Sequence, residues 1–211
     1  MHNTNTVRTI VYQDTTVQTA GPITVHQIAS GQEDEVRNRE RDREVFTVRT
    51  RLSSGKVRTI HYTIDIIFMN GRTYYRSTLL KKDQWQTHSG MSFCDRLSET
   101  CWYRGRTTVP AFSGITFTEQ TSSDGSVIFH GGFKQPIYRP HTKVKQGTTA
   151  GTASILISPG PTRYVTRIQE QAVVTIKGRP ITHETFDQRY GPFNQPLTIV
   201  PPAGVLHGTP S

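Results

Sequence analysis

Hydrophobic and polar residues alternate along this chain with a period of two, in short blocks closed by glycine, proline, asparagine or serine. The block at 44–79 is the clearest. From Val45 to Leu52, Phe46, Val48, Thr50 and Leu52 fall on one side, and Arg49 and Arg51 on the other. After the turn Ser53-Ser54-Gly55-Lys56, Ile60, Tyr62, Ile64, Ile66 and Phe68 share a side, opposite His61, Thr63 and Asp65. Alternation of that length predicts half-buried strands. Asn70-Gly71 predicts the two-residue hairpin turn that returns the chain along 72–79.

Shorter blocks of the same kind predict strands at 107–109, 115–118, 126–130, 153–157, 163–168 and 171–176, with one more candidate at 197–200. The stretch 80–106 reads as irregular, polar and aromatic, and 131–152 as a Gly/Pro/Lys loop. No segment carries the apolar period of a buried helix. Many short strands punctuated by turns predict an all-β fold, an antiparallel β-sandwich, in the form of a single jelly roll with an extended N-terminal arm.

The first 44 residues break the pattern. Val7 to Tyr12 and Ile23 to Ile28 have β-propensity but little amphipathic character, so 1–31 reads as an extended arm or edge strands. At 32–44 the composition becomes almost wholly charged, with Val36 as the only apolar residue. Glu33/Arg37 and Glu35/Arg39 have the spacing of helical ion pairs, yet such a helix has no face to bury. That segment is expected to be a charged linker or short helix. The sandwich is expected over 45–200, followed by a flexible tail at 201–211.

Composition adds a partner class. The 211 residues include 31 threonines and carry a formal net charge of +9. An isoelectric point near 9.8 makes a polyanion a natural partner. Met1 to Tyr12 lacks the apolar core of a signal peptide. The most apolar run, Ile64 to Met69, contains Asp65 and falls far short of the roughly 18 residues of a membrane span, so no membrane partner is expected.

Catalytic signatures are missing. There is no P-loop, no H-E-x-x-H, no G-x-G-x-x-G and no nucleophile elbow. His61 and Asp65 share a strand face but lie about 13 Å apart along it, too far to pair. Cys94 and Cys101, with His88 upstream, lack the close pair and the fourth ligand of a zinc site. They read as buried thiols or a loop bridge. No enzyme activity, cofactor or metal is expected.

Two basic sets are candidates for nucleic acid. Arg37, Arg39, Arg41 and Arg43 could neutralise phosphates, but Glu40, Asp42 and Glu44 interleave with them and cancel their field in a linker. The other set has few acidic neighbours: Lys81 and Lys82, Arg104 and Arg106, Lys134 and Arg139, Lys143 and Lys145. Arg104 and Arg106 follow Trp102-Tyr103, a combination suited to stacked bases and paired phosphates of a single strand.

The Thr/Gln-rich start, the charged segment 32–44 and the basic, Thr-rich β region beginning at 44–79 together resemble the coat proteins of small non-enveloped RNA viruses. Compact plant-virus types, such as ourmiavirus and tombusvirus-like coats, are the nearest in kind. The start departs from that pattern in one respect: 1–31 contains only Arg8 in place of a dense basic arm. The resemblance implies a capsid protein of the virion, assembled in the host cytoplasm from copies of itself around a single-stranded RNA genome. Alternative readings are another β-rich virus or phage particle component (neck, tail or decoration protein), or an RNA-binding accessory protein such as a movement protein or silencing suppressor.

Overall fold

A computed structural model describes residues 7–80, 84–89, 116–138 and 144–203. Eleven strands are defined. They are β1 (Thr9–Ala20), β2 (Ile23–Asp34), β3 (Arg39–Arg51), β4 (Val57–Met69), β5 (Arg72–Ser77), β6 (Gln86–Ser89), β7 (Thr116–Thr121), β8 (Val127–Tyr138), β9 (Lys145–Ile157), β10 (Val165–Ile176) and β11 (Thr182–Phe193). The class is all-β and antiparallel, as the alternation predicts.

All eleven strands hydrogen-bond in one sheet, in the order β6-β5-β4-β3-β2-β1-β11-β10-β9-β8-β7. Two differences from expectation follow. First, almost every neighbour in the sheet is a neighbour in sequence, because short turns join successive strands. The Greek-key pairing of a jelly roll is not found among the described strands. Second, the expected arm and linker are interior strands. β1 pairs with β11 and β2, and β2 pairs with β3, so residues 9–34 form the middle of the sheet.

Local chemistry explains the second difference. Asp34 ends β2 and caps the turn at 35–38: its carboxylate accepts from the Arg37 backbone N–H at 2.9 Å and from Arg37 Nη1 at 3.1 Å. Asn38 closes the turn at φ 50°, a left-handed conformation that asparagine tolerates. The chain then returns as β3, six residues earlier than the hydropathy pattern suggests. The β4–β5 turn has the predicted form, with Asn70 at φ 52° and Gly71 at φ 70°.

Other boundaries also move. The loop expected at 131–152 is largely strand, because β8 runs on to Tyr138 and β9 begins at Lys145. The separate strands expected at 163–168 and 171–176 are the single β10. β11 forms where the pattern predicts no strand, and Leu197 to Val200, where it predicts one, forms none. The strand expected at 107–109 lies outside the described residues, as do Cys94 and Cys101.

The core has two parts. Val7, Ile10, Tyr12, Ile168, Phe186 and Tyr190 form one buried cluster across β1, β11 and β10. On the other side of the sheet, Ile199 packs on Ile67 and Met69, with Tyr74 and Trp85 against them. The segment after β11 is thereby fixed over the ends of β4 and β5. Burying each such apolar side chain is worth roughly 1.5–3 kcal/mol before entropy is counted.

Candidate nucleic-acid interface and the acidic face behind it

In a pleated sheet, residues directly opposite across a ladder share a face. The registers therefore sort every strand residue onto one of two faces. One face carries Arg39, Arg41, Arg43, Arg49 and Arg51 of β3 and Arg72 and Arg76 of β5. It continues with Lys134 of β8, Arg167 of β10 and Arg189 of β11. Its acids are Asp34, Asp65 and Asp187. The opposite face carries Asp14, Glu33, Glu40, Asp42, Glu44, Glu119, Glu170 and Glu184. Its one cation among the described strands, apart from Lys145 at a bulge, is Arg58.

The arginine face is the more exposed one. Arg41, Arg43, Arg49 and Arg51 are each exposed or half-buried along β3, while Glu40, Asp42 and Glu44 between them are buried. One transverse row crosses the middle of the sheet: Arg76, Asp65, Arg43, Ser30, Gln13, Arg189 and Arg167. Each end of the row belongs to an Arg–Asp–Arg group, the second completed by Asp187, two residues before Arg189 on β11. Asp65 accepts from Arg76 Nη2 at 2.8 Å and lies 3.8 Å from Arg43 Nε. Asp187 accepts from both Arg167 Nε and Nη2 at 2.7 Å, with Arg189 at 3.7 Å. Hydrogen bonds from Arg167 hold the Asp187 carboxyl below its usual range, and the same bonds raise the Arg167 guanidinium.

Each of these groups keeps one cation largely free. The side chains of Arg43 and Arg189 are 62% and 66% exposed, against 35% and 34% for Arg76 and Arg167. Arg43 and Arg189 lie three strand spacings apart, roughly 14 Å. Arg76 also sits over the Trp85 ring, 5.1 Å from its centroid, which fixes its planar head.

The remaining sequence candidates divide. Arg37 is tied to Asp34 in the β2–β3 turn. Arg39 reaches under the segment after β11 and donates to the Ile199 carbonyl at 3.3 Å, so it anchors structure. Arg41 and Arg43 remain on the exposed face. Lys145 is exposed at the start of β9. Lys81, Lys82, Arg104, Arg106, Arg139 and Lys143 lie outside the described residues. No local basic cluster marks Arg76, Arg167 and Arg189 in the sequence; only strand pairing brings them into a row.

Behind this face the acids are packed tightly. Asp14, Glu40, Asp42 and Glu44 are 1–2% exposed and Glu33 is 5% exposed. The Tyr12 ring lies over Gly31, where any Cβ would overlap it, and its hydroxyl extends toward Glu40 Oε1 at 3.5 Å. Neither Asp42 oxygen completes a hydrogen bond, nor does the Gln188 Nε2 amide beside Asp14. Burial, then the charges of Glu44, Glu40 and Asp14, push the Asp42 carboxyl up to about 8, with only the Arg43 backbone amide acting the other way. Burial, then Asp14 and Glu40, push Glu44 to about 7. The Tyr12 phenol rises for the same reasons, burial first. Among the described residues no His, Cys, Asp or Glu side chains are grouped to hold a metal ion.

No known family model matches the chain, and no curated protein matches it in sequence.

Proposed function

We propose that this protein binds the phosphate backbone of RNA on its arginine face and acts as a structural component of a particle, a capsid protein that assembles around its nucleic acid. The observation that carries the reading is the sorting of charge between the two faces. Cations that a linear count cancels against acids stand together on the exposed side, with Arg43 and Arg189 held outward by shared aspartates. Phosphate neutralised by arginine releases counterions, which gives affinity without base recognition. No aromatic side chain is in the central row itself, so binding there is expected to be insensitive to base sequence.

Self-assembly is favoured by the sheet edges. Among the described strands β6 and β7 lie at the two edges and, with antiparallel pairing throughout, run in the same direction. Direct closure of the sheet would demand a parallel pair, whereas a strand from another copy can add to either edge in antiparallel fashion.

The test is anisotropy titration of a labelled oligouridine of about 20 nucleotides over a range of salt, with the sample also viewed by negative-stain microscopy. Arg43→Gln with Arg189→Gln should lower the log–log salt slope by about 1.4 in total, near 0.7 per lost single-strand contact. Regular particles rich in nucleic acid support the assembly reading. No binding at low salt, or an unchanged slope in the double variant, overturns the arginine-face reading.

A further inference from the structure

The arginines and the buried acids alternate on the same strand, so what holds the acids also holds the arginines. We propose that the carboxylate cluster behind β3 is a proton-operated latch: bound protons keep β3 packed, and their release loosens the strand that presents Arg41 and Arg43.

The geometry carries this. Asp42 is 1% exposed and neither of its oxygens completes a well-formed hydrogen bond; the Arg43 backbone amide is the one donor that acts on it. Its own strand places Glu40 and Glu44 on the same face. Tyr12 and Asp14 face it from β1 and Glu33 from β2. β4 contributes Ile64, Ile66 and Phe68 at these positions, with the Tyr62 phenol next along the strand and raised by burial and then by Glu44, and β5 contributes Tyr75 and Ser77. β11 contributes Gln188 and Tyr190, whose hydroxyl donates to Gln188 Oε1 at 2.5 Å. Arg58 sits at the far end of β4, opposite Thr50. Nothing on these positions of the described strands can neutralise a carboxylate at Asp42. A buried carboxylate with no cation and only one backbone amide acting on it is strongly disfavoured, so the proton is the ligand that fits this site. The raised Asp42 and Glu44 values agree.

The consequence is directional. Between about pH 4 and pH 8 the folded chain holds a proton on Asp42 that an opened chain releases. Opening of β3 therefore becomes easier by up to about tenfold per pH unit in that window. The further link, that RNA affinity on the arginine face falls as the latch opens, rests on the function proposed above; the latch itself does not.

Amide hydrogen exchange of the full chain at pH 6, 7 and 8, corrected for intrinsic rates, reads the latch without RNA. β3 amides should lose protection with pH, and Asp42→Asn, a neutral isostere of the protonated acid, should remove most of that loss. Glu44→Gln serves the same purpose should the Asp42 variant fold poorly, and exposed Glu119→Gln should change nothing. Protection in the parent chain that does not depend on pH, or a dependence that survives in both variants, overturns the latch. Oligouridine affinity at pH 6 and pH 9, at fixed ionic strength, reads the coupling. A fall of tenfold or more in the parent, absent in Asp42→Asn, supports it, and equal falls in both overturn it. An absence of RNA binding at either pH alongside pH-dependent protection sinks the proposed function and leaves the latch standing.

Discussion

The two faces of β3 are built from residues that touch in sequence and live in different dielectric worlds. Arg41 and Arg43 point to solvent, where a charge is cheap and screened. Asp42 and Glu44, one residue away, are buried, where the same magnitude of charge is expensive enough to be given up to a proton. The strand geometry alone makes this separation, since successive side chains point to opposite faces. In a helix or a loop, the same sequence would mix the charges and pair them. Net charge along a segment therefore says little about the field a partner meets.

The sharpest way to break the comparison is to disturb the packing that keeps the acidic face dry. Gly31→Val places side-chain atoms inside the Tyr12 ring, and should destabilise the chain by about 3 kcal/mol or prevent folding. Tyr12→Ala, which leaves a cavity in the same place, should cost about 3–5 kcal/mol in denaturant unfolding. If either variant has the stability of the parent, the face is not packed as described.

The next effect is the pH dependence of global stability. Asp42 and Glu44 have folded values above their unfolded ones, so their protonated forms favour folding. Their contribution is fully present below about pH 4 and declines as pH rises. The Glu44 share is lost by about pH 7 and the Asp42 share by about pH 8, with no further loss from them above that. The melting temperature should fall from pH 5 to pH 8, and Asp42→Asn should be more stable than the parent at pH 8–9 while matching it near pH 4. A melting temperature that climbs with pH through this window would falsify the assignment.

On the arginine face the expected stability effects are small. Arg43→Gln should leave the unfolding free energy within about 0.5 kcal/mol of the parent while weakening polyanion binding. Asp187 contributes with the opposite pH sign. Its depressed carboxyl favours folding above the unfolded value, and that contribution is lost as pH falls through the folded one. Being part-exposed, the Arg167–Asp187 pair is worth about 1 kcal/mol or less. Asp187→Asn should barely move unfolding, but it frees Arg167 and should strengthen oligouridine binding at low salt. A weaker affinity in that variant would mean that Asp187 positions the arginines for binding rather than restraining them.

Much of the fold was legible where apolar residues did the burying. The hairpin of β3, β4 and β5 follows from Phe46, Val48, Ile60, Tyr62, Ile64, Ile66 and Phe68, and from Asn70-Gly71. At the start of β3 the signal was there in another alphabet. Arg39-Glu40-Arg41-Asp42-Arg43-Glu44 alternates in the sign of charge with the period of a strand, while hydropathy stays flat. β1 and β2 were harder to read because Asp14, Thr16, Gly31 and Glu33 occupy positions that normally carry apolar side chains. Gly147 and Gly151 had the same effect in β9, where each lies so close to the backbone of β10 that no side chain fits.

The sequence by itself determined the class, the central hairpin and the surplus of positive charge, because period-two patterning and turn chemistry act over a few residues. It could not determine that β1 and β11 pair, because no local rule joins segments some 160 residues apart. That pairing alone brings Arg189 and Arg167 into line with Arg43, and sets Gln188 and Tyr190 beside Asp14 and Tyr12. Which charges meet water and which meet protons was decided by tertiary structure, since burial belongs to the assembled sheet and to no single strand.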